Sequence, residues 1–399
     1  MIKFALKNLS TKIMQTFLII FSIVISAGVS ILAYNVSTQV DQGITKNAGY
    51  YSVIIGPSGS KTQLAMNSMY FTEEPLGTIP YSLVETLQQD GTKVSEAIPF
   101  AMADNYNGYN VVGTTSQFLK DKSIKSGTMF DDSKTMQVVV GYSVAKNNGL
   151  KVGDIIYTSH TANSTNTHTQ GLTVTGILKQ SYSTFDNTLF SQIRTLWEMH
   201  EHGEHNENEE QNNLHESVCA ILINAKNPVY AMQLVNEYNG KIITNTNGDN
   251  YVLQAIEPMN IVRDVLNEAD DTKYIVYVLC GVILLMNIII ISIITLLNMY
   301  HSTKEIKLMR LIGISMNKIN LVYLIQNSLI GIISSLLAIG LSKVCLIFMN
   351  DYVASMGVVL NITKIFPAEI LILLGVFIIT VIPTIIWTFC MSRKDGIND

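Results

Sequence analysis

The sequence predicts an α-helical membrane protein with four transmembrane helices, arranged one plus three, and a large α+β extracytoplasmic domain between helices one and two. Three observations predict it. Four long stretches free of charged residues lie at 13–40, 274–303, 319–342 and 370–392. Each can cross a hydrocarbon core, which takes about 20 apolar residues as helix, and backbone in lipid must satisfy its own hydrogen bonds. Their spacing is uneven, with one long polar segment between the first stretch and three crowded ones. The 399 residues are 48% hydrophobic but only 14% charged, well below the roughly 25% usual for soluble domains.

Residues 1–15 form an interfacial helix: Ile2, Leu6, Leu9 and Ile13 share one face and lysines occupy another. Residues 16–36 are transmembrane helix 1. The uncharged run is too long for the apolar core of a signal peptide, and no small-x-small cleavage site closes it. Residues 37–272 form the inserted domain. Short β-rich runs at 51–55, 111–112, 136–140, 155–158, 172–178 and 218–223 are bounded by Gly, Asn and Asp. Helical segments at 81–89, 143–148, 229–238 and 258–268 alternate with them, which implies an α+β module of two subdomains with boundaries within 40–75 and 200–260.

Residues 35–273 carry 15 basic against 26 acidic side chains, which argues against nucleic acid and against a tight grip on anionic lipid. Cys219 is the one cysteine of this segment, so no internal disulfide staples it. Cys280, Cys345 and Cys390 lie in or near the spans. Residues 260–271 read as a polar helix running towards the second span. No Gly or Pro interrupts it between Pro258 and Cys280, so one rod can be continuous with transmembrane helix 2 at 273–300.

A loop at 301–318 leads to transmembrane helix 3 at 319–349. Gly331, Ser334, Ser335 and Gly340 allow close helix approach there, and Lys343 snorkels at its outer end. A loop at 350–365, transmembrane helix 4 at 366–391 and a tail at 392–399 complete the chain. Pro383 kinks the last span, its freed carbonyl met by neighbours such as Thr380. Lys3, Lys7 and Lys12, then Lys304, Lys307, Arg310 and Lys318, then Arg393 and Lys394 flank the spans. This basic bias places both termini and the 301–318 loop in the cytoplasm, with the inserted domain outside.

Two local motifs bear on chemistry. Residues 56–62, GPSGSKT, look like a phosphate loop, but Ser60 stands where that motif needs Gly before the lysine, and a surface turn accounts for them. Residues 198–216 hold four of the seven histidines and seven glutamates. His200, His202 and His205, with His215, can converge on Zn or another divalent transition metal such as Ni or Cu(II), and the carboxylates raise local cation concentration. The same composition also describes a solvated acidic loop. No Ser/His/Asp or paired-carboxylate arrangement marks an enzyme.

Residues 303–315, TKEIKLMRLIGIS, form a short amphipathic helix. Ile306, Met309, Leu311 and Ile312 face one way and Lys304, Lys307 and Arg310 the other, with Gly313 as the stop. Together with the one-plus-three spans, this loop resembles that of the FtsX/MacB-type ABC transporter permease family. Residues 4–26, FALKNLSTKIMQTFLIIFSIVIS, are similar to the family's basic helix and first span. Residues 138–146 (VVVGYSVAK), 149–154 (GLKVGD) and 172–178 (LTVTGIL) resemble its MacB-like periplasmic core domain.

The resemblance implies a non-catalytic permease subunit in the bacterial plasma (inner) membrane, working as a homodimer with a cytoplasmic ABC ATPase that supplies all ATP hydrolysis. It implies that the 301–318 loop is the coupling helix, with Lys304, Glu305, Lys307, Arg310 and Gly313 at the ATPase contact. Movement then passes to the outer domain, to export or extract a substrate, with the histidine loop as a link to metal handling. An extracytoplasmic adaptor or substrate-binding protein is a further partner class. The alternative is a signalling or scaffold protein of the same layout that controls an external partner without transport.

Overall fold

The computed structural model describes residues 2–160, 167–201, 216–244, 248–301, 303–355 and 358–395. In chain order they form α1 (Ile2–Thr11), α2 (Ile13–Ala48), β1 (Val53–Pro57), α3 (Lys61–Tyr70), β2 (Ile79–Pro80), α4 (Ser82–Gln89), β3 (Val94–Tyr106) and β4 (Tyr109–Thr114). Next come β5 (Ile124–Gly127), β6 (Gln137–Val140), α5 (Tyr142–Asn148), β7 (Ile155–Ile156), β8 (Leu172–Leu178), β9 (Leu189–Gln192), α6 (Ile193–Glu201), β10 (Ser217–Val218) and β11 (Ala220–Ala225). The chain closes with α7 (Pro228–Tyr238), β12 (Ile242–Thr244), β13 (Asn250–Ile256), α8 (Pro258–His301), α9 (Thr303–Leu311), α10 (Met316–Ser355) and α11 (Pro367–Asp395). These elements divide into a helical unit of Met1–Thr38, Ala269–Met349 and Asn361–Asp399, and an α/β module of Gln39–Glu268 and Asn350–Leu360.

In the helical unit, Ile13–Ala48, Lys273–Ile294, Lys318–Asn350 and Pro367–Ile386 are long and apolar enough to cross a membrane. Polar side chains on α2 bond to their own helix: Ser26 to the Ile23 carbonyl, Ser30 to that of Ser26, and Asn35 to that of Ile31. Such back-bonding satisfies hydroxyl and amide groups where water is absent. The Ser22 hydroxyl donates to Asn287 Oδ1 at 2.5 Å. Gly331 is a point of close approach: a Cβ there would lie 2.6 Å from Thr380 Oγ1. Gly340 faces open space instead.

One expectation about the spans needs correction: Thr380 does not meet the carbonyl that Pro383 frees. Near the outer end of α10 the Lys343 ammonium donates to the Lys364 carbonyl at 2.7 Å and lies 3.4 Å from Glu369 Oε1. Glu369 is buried at the third position of α11, and its Oε1 also accepts from the Phe366 backbone N–H, as the acidic partner of a capping box does. Pro383 lies inside α11. The Thr380 hydroxyl donates to the Phe377 carbonyl at 2.7 Å, two residues short of the Ile379 carbonyl that proline leaves without a donor.

The α/β module is built on an eleven-stranded sheet, ordered β12-β13-β1-β11-β3-β4-β9-β6-β8-β5 with β7 added on β8; β10 and β2 pair separately. Alternation along LTVTGIL, with Leu172, Val174, Gly176 and Leu178 facing in or packed, is the period of two that makes β8. Val53–Ile55, Ile221–Ile223 and Val138–Val140 are buried without remainder, each aliphatic side chain contributing about 1.5–3 kcal/mol. Residues 56–62 are the end of β1, a turn and the start of α3, where the Ser60 side chain accepts the Gln63 N–H as an N-cap. Phe71, Phe118, Phe185 and Phe190 form an aromatic cluster. At its margin Lys122 donates to the Tyr50 hydroxyl at 3.1 Å and lies 3.8 Å from the Phe185 ring centre.

The long strand β3 organises this sheet. From Val94 to Phe100 it pairs with β11, and from Ala101 to Tyr106 with β4 on its other side. Sequence periodicity misses β3, because VSEAIPFAMADNY contains a proline and few β-branched residues.

Candidate functional site

The β3 to β4 register slips between Met102, opposite Val112, and Asp104, opposite Val111. Cross-strand partners share a face, and Val111 and Val112 point to opposite faces, so this bulge moves Asp104 to the face opposite Met102. Beside it, Asn105 and Ser159 exchange backbone hydrogen bonds of 2.7 and 2.9 Å, and Ser159 bridges Thr167 in turn. The residues that follow these two bridge points are His160 and His168.

The third ring comes from α6, which begins where β9 ends. Its amphipathic face buries Ile193, Leu196, Trp197 and Met199, and Trp197 Nε1 donates to the Ser217 carbonyl at 2.9 Å. His200 stands in its last turn.

The three rings converge on one carboxylate oxygen. Asp104 Oδ1 lies 3.1 Å from His168 Nε2, 3.2 Å from His200 Nε2 and 3.6 Å from His160 Nδ1. The Asp104 side chain is 0% exposed, those of His168 and His200 are 8% and 11%, and that of His160 is 48%. All four ligand atoms fall within 4.8 Å of one another. Burial alone would raise the Asp104 carboxyl, but the His168 and His200 rings outweigh it and hold the pKa down at about 2. Asp104 Oδ2 and His200 Nε2 are buried without a hydrogen-bond partner.

Of the predicted metal residues, the structure brings His200 into this group. His202, His205 and His215 lie outside the described residues. Sequence reasoning missed Asp104, His160 and His168. One signal was present, since His160 and His168 flank the turn-rich stretch between the β-rich runs at 155–158 and 172–178. Strands that pair bring such flanking residues together.

The second candidate region is α9. Ile306 is buried against Ile319 and Tyr323, with Met309 and Met316 beside them. The helix ends in a Schellman motif: Ile314 N donates to the Met309 carbonyl at 3.0 Å and Gly313 N to that of Arg310 at 2.9 Å. Gly313 has φ +88°, a conformation that disfavours any side chain. Lys307 and Arg310 are exposed, as expected. Leu311 and Ile312, expected on the inner face, are instead 85% and 76% exposed. The reason is geometric: the helix closes at Leu311, so these two residues leave the stripe set by Ile306 and Met309. Lys304 and Glu305 lie within α9, and their side chains are outside the described set.

Comparison with known proteins covers both units. Residues 16–238 match the family model described as the MacB-like periplasmic core domain, and residues 277–395 match the FtsX-like permease C-terminal model. A similar solved structure is the periplasmic region of MacB from Actinobacillus actinomycetemcomitans, at 12% identity over 56% of this chain and 95% of that one, with a TM-score of 0.36. No match was found among curated proteins. With a MacB-like domain and an FtsX-like domain following one another along four apolar helices, the chain belongs to the FtsX/MacB-type ABC transporter permease family.

Proposed function

We propose that this chain works as a homodimer with two cytoplasmic ATPase subunits, and that it carries their movement to the α/β module, outside the plasma membrane, to export or extract a substrate there. The observation that carries this reading is the construction of α9. One side is anchored through Ile306, a Schellman motif sets the end, and Lys307 and Arg310 are presented together with Leu308, Leu311 and Ile312. Exposed cations interleaved with apolar side chains suit a protein partner, since the apolar groups supply area and the charges supply register. The 44-residue helix α8, unbroken from Pro258 to His301, supports transmission, because a helix resists axial compression better than a loop. The basic residues flanking the spans support the orientation.

The test is charge reversal. Lys307→Glu with Arg310→Glu, in the full chain purified from native membranes together with its ATPase, should weaken ATPase capture about tenfold or more. Unaltered capture and unaltered ATPase rate would refute the assignment of α9.

A further inference from the structure

We propose that Asp104, His160, His168 and His200 bind one divalent ion of the zinc class in the α/β module. Unlike the acidic loop read from sequence, these ligands are held by a strand bulge, two bridge points and a helix end. The inference is independent of the transport reading, since it needs no ATPase and no membrane crossing.

The donor chemistry selects the ion. Three imidazole nitrogens and one carboxylate oxygen suit Zn, and also Co(II), Ni or Cu(II), whereas Ca and Mg call for shells of oxygen. The separations about Asp104 Oδ1 are near those of four-coordination, and the whole group, within 4.8 Å, would draw in on an ion. With bonds of about 2.0–2.1 Å, neighbouring ligand atoms of a tetrahedral site stand about 3.3 Å apart. The three separations from Asp104 Oδ1 are 3.1, 3.2 and 3.6 Å, and the longest belongs to His160, the most exposed and least confined ring.

Hydrogen bonding alone accounts poorly for this cluster. One imidazole suffices to hold a buried aspartate, and His168 does so at 3.1 Å. A second ring nitrogen, His200 Nε2, crowds the same oxygen at 3.2 Å but outside good hydrogen-bond geometry, and Asp104 Oδ2 has no partner at all. Protonating all three rings would pair each with the carboxylate but set three cations against one another, with ring centres 4.6 to 5.4 Å apart. A single dication neutralises the carboxylate and takes three neutral rings, releasing any protons they carried. His160, half exposed, gives the ion a way in and out.

The test uses the full chain in detergent micelles, stripped with chelator. Calorimetry with Zn(II) should give one ion per chain, and Co(II) should give the strong visible bands of tetrahedral coordination. Asp104→Asn, His168→Ala and His160→Ala should each weaken binding more than about 100-fold, beyond what losing an outer-shell partner costs. Thermal melts without metal check that each variant folds. If Asp104→Asn fails to fold, half-exposed His160 carries the test. No binding at micromolar metal, binding indifferent to His160→Ala and His168→Ala, or binding abolished by the His202→Ala, His205→Ala, His215→Ala triple variant would each overturn the proposal.

Discussion

Among the buried carboxylates of the described residues, Glu369 in the helical unit and Asp104 in the α/β module are answered differently. Both leave one oxygen without a hydrogen-bond partner. Glu369 faces the Lys343 ammonium and a backbone N–H at the start of α11. Asp104 faces three imidazoles, whose charge is conditional. The first arrangement closes on itself, as a pin between α10 and α11. The second gathers three ring nitrogens on one oxygen and leaves the other oxygen without a partner, an arrangement that the proposed dication would complete.

The largest effect that would sharpen this contrast is at the pin. Glu369→Gln leaves the Lys343 ammonium without its counter-charge and should cost about 3–5 kcal/mol, measured by unfolding of the full chain in micelles. The double change Lys343→Met, Glu369→Leu should restore most of that loss. A cost below about 1 kcal/mol for Glu369→Gln would break the comparison from the helical side.

Asp104→Asn should cost less in metal-free protein, about 1–2 kcal/mol, because the amide leaves no charge buried and one hydrogen bond changes. Adding Zn(II) should widen the gap, since an ion that binds only the folded wild type stabilises it by about 2.7 kcal/mol at a hundred times its dissociation constant. An equal cost with and without zinc would make Asp104 a second pin.

The smallest effect concerns a half-buried lysine, Lys122. Burial, with help from nearby Lys46, lowers the Lys122 pKa from 10.5 to about 8. Between those values the unfolded chain binds a proton that the folded chain has released, so this group adds stability as pH rises through that window. The midpoint of wild-type unfolding should therefore rise relative to Lys122→Met between pH 8 and 10. A constant difference between the two would show that Lys122 stays charged against its aromatic rings.

The α9 stop and the helical unit were legible in sequence because both rest on local chemistry. Gly313 after an amphipathic turn has one common use, and uncharged runs of spanning length have few alternatives. LTVTGIL alternates so plainly that β8 matches its expected bounds, residue for residue. The cluster around Asp104 was illegible for the opposite reason. Its bulge lies in a strand whose composition hides it, and His160 and His200 meet through a sheet order that places β4 beside β9 in parallel. Periodicity reports which side of an element is buried, but not which distant elements share that side.

The shared strand β3 has a mechanical consequence. Its ladder to β11 ends at Phe100 and its ladder to β4 begins at Ala101, so within the sheet the two halves are joined in series through covalent backbone. A pull between the halves therefore passes through the backbone at Phe100 and Ala101 as well as through both ladders. The bulge at Ala103 and the cluster at Asp104 lie within a few residues of that joint, where bending or twisting would be felt first.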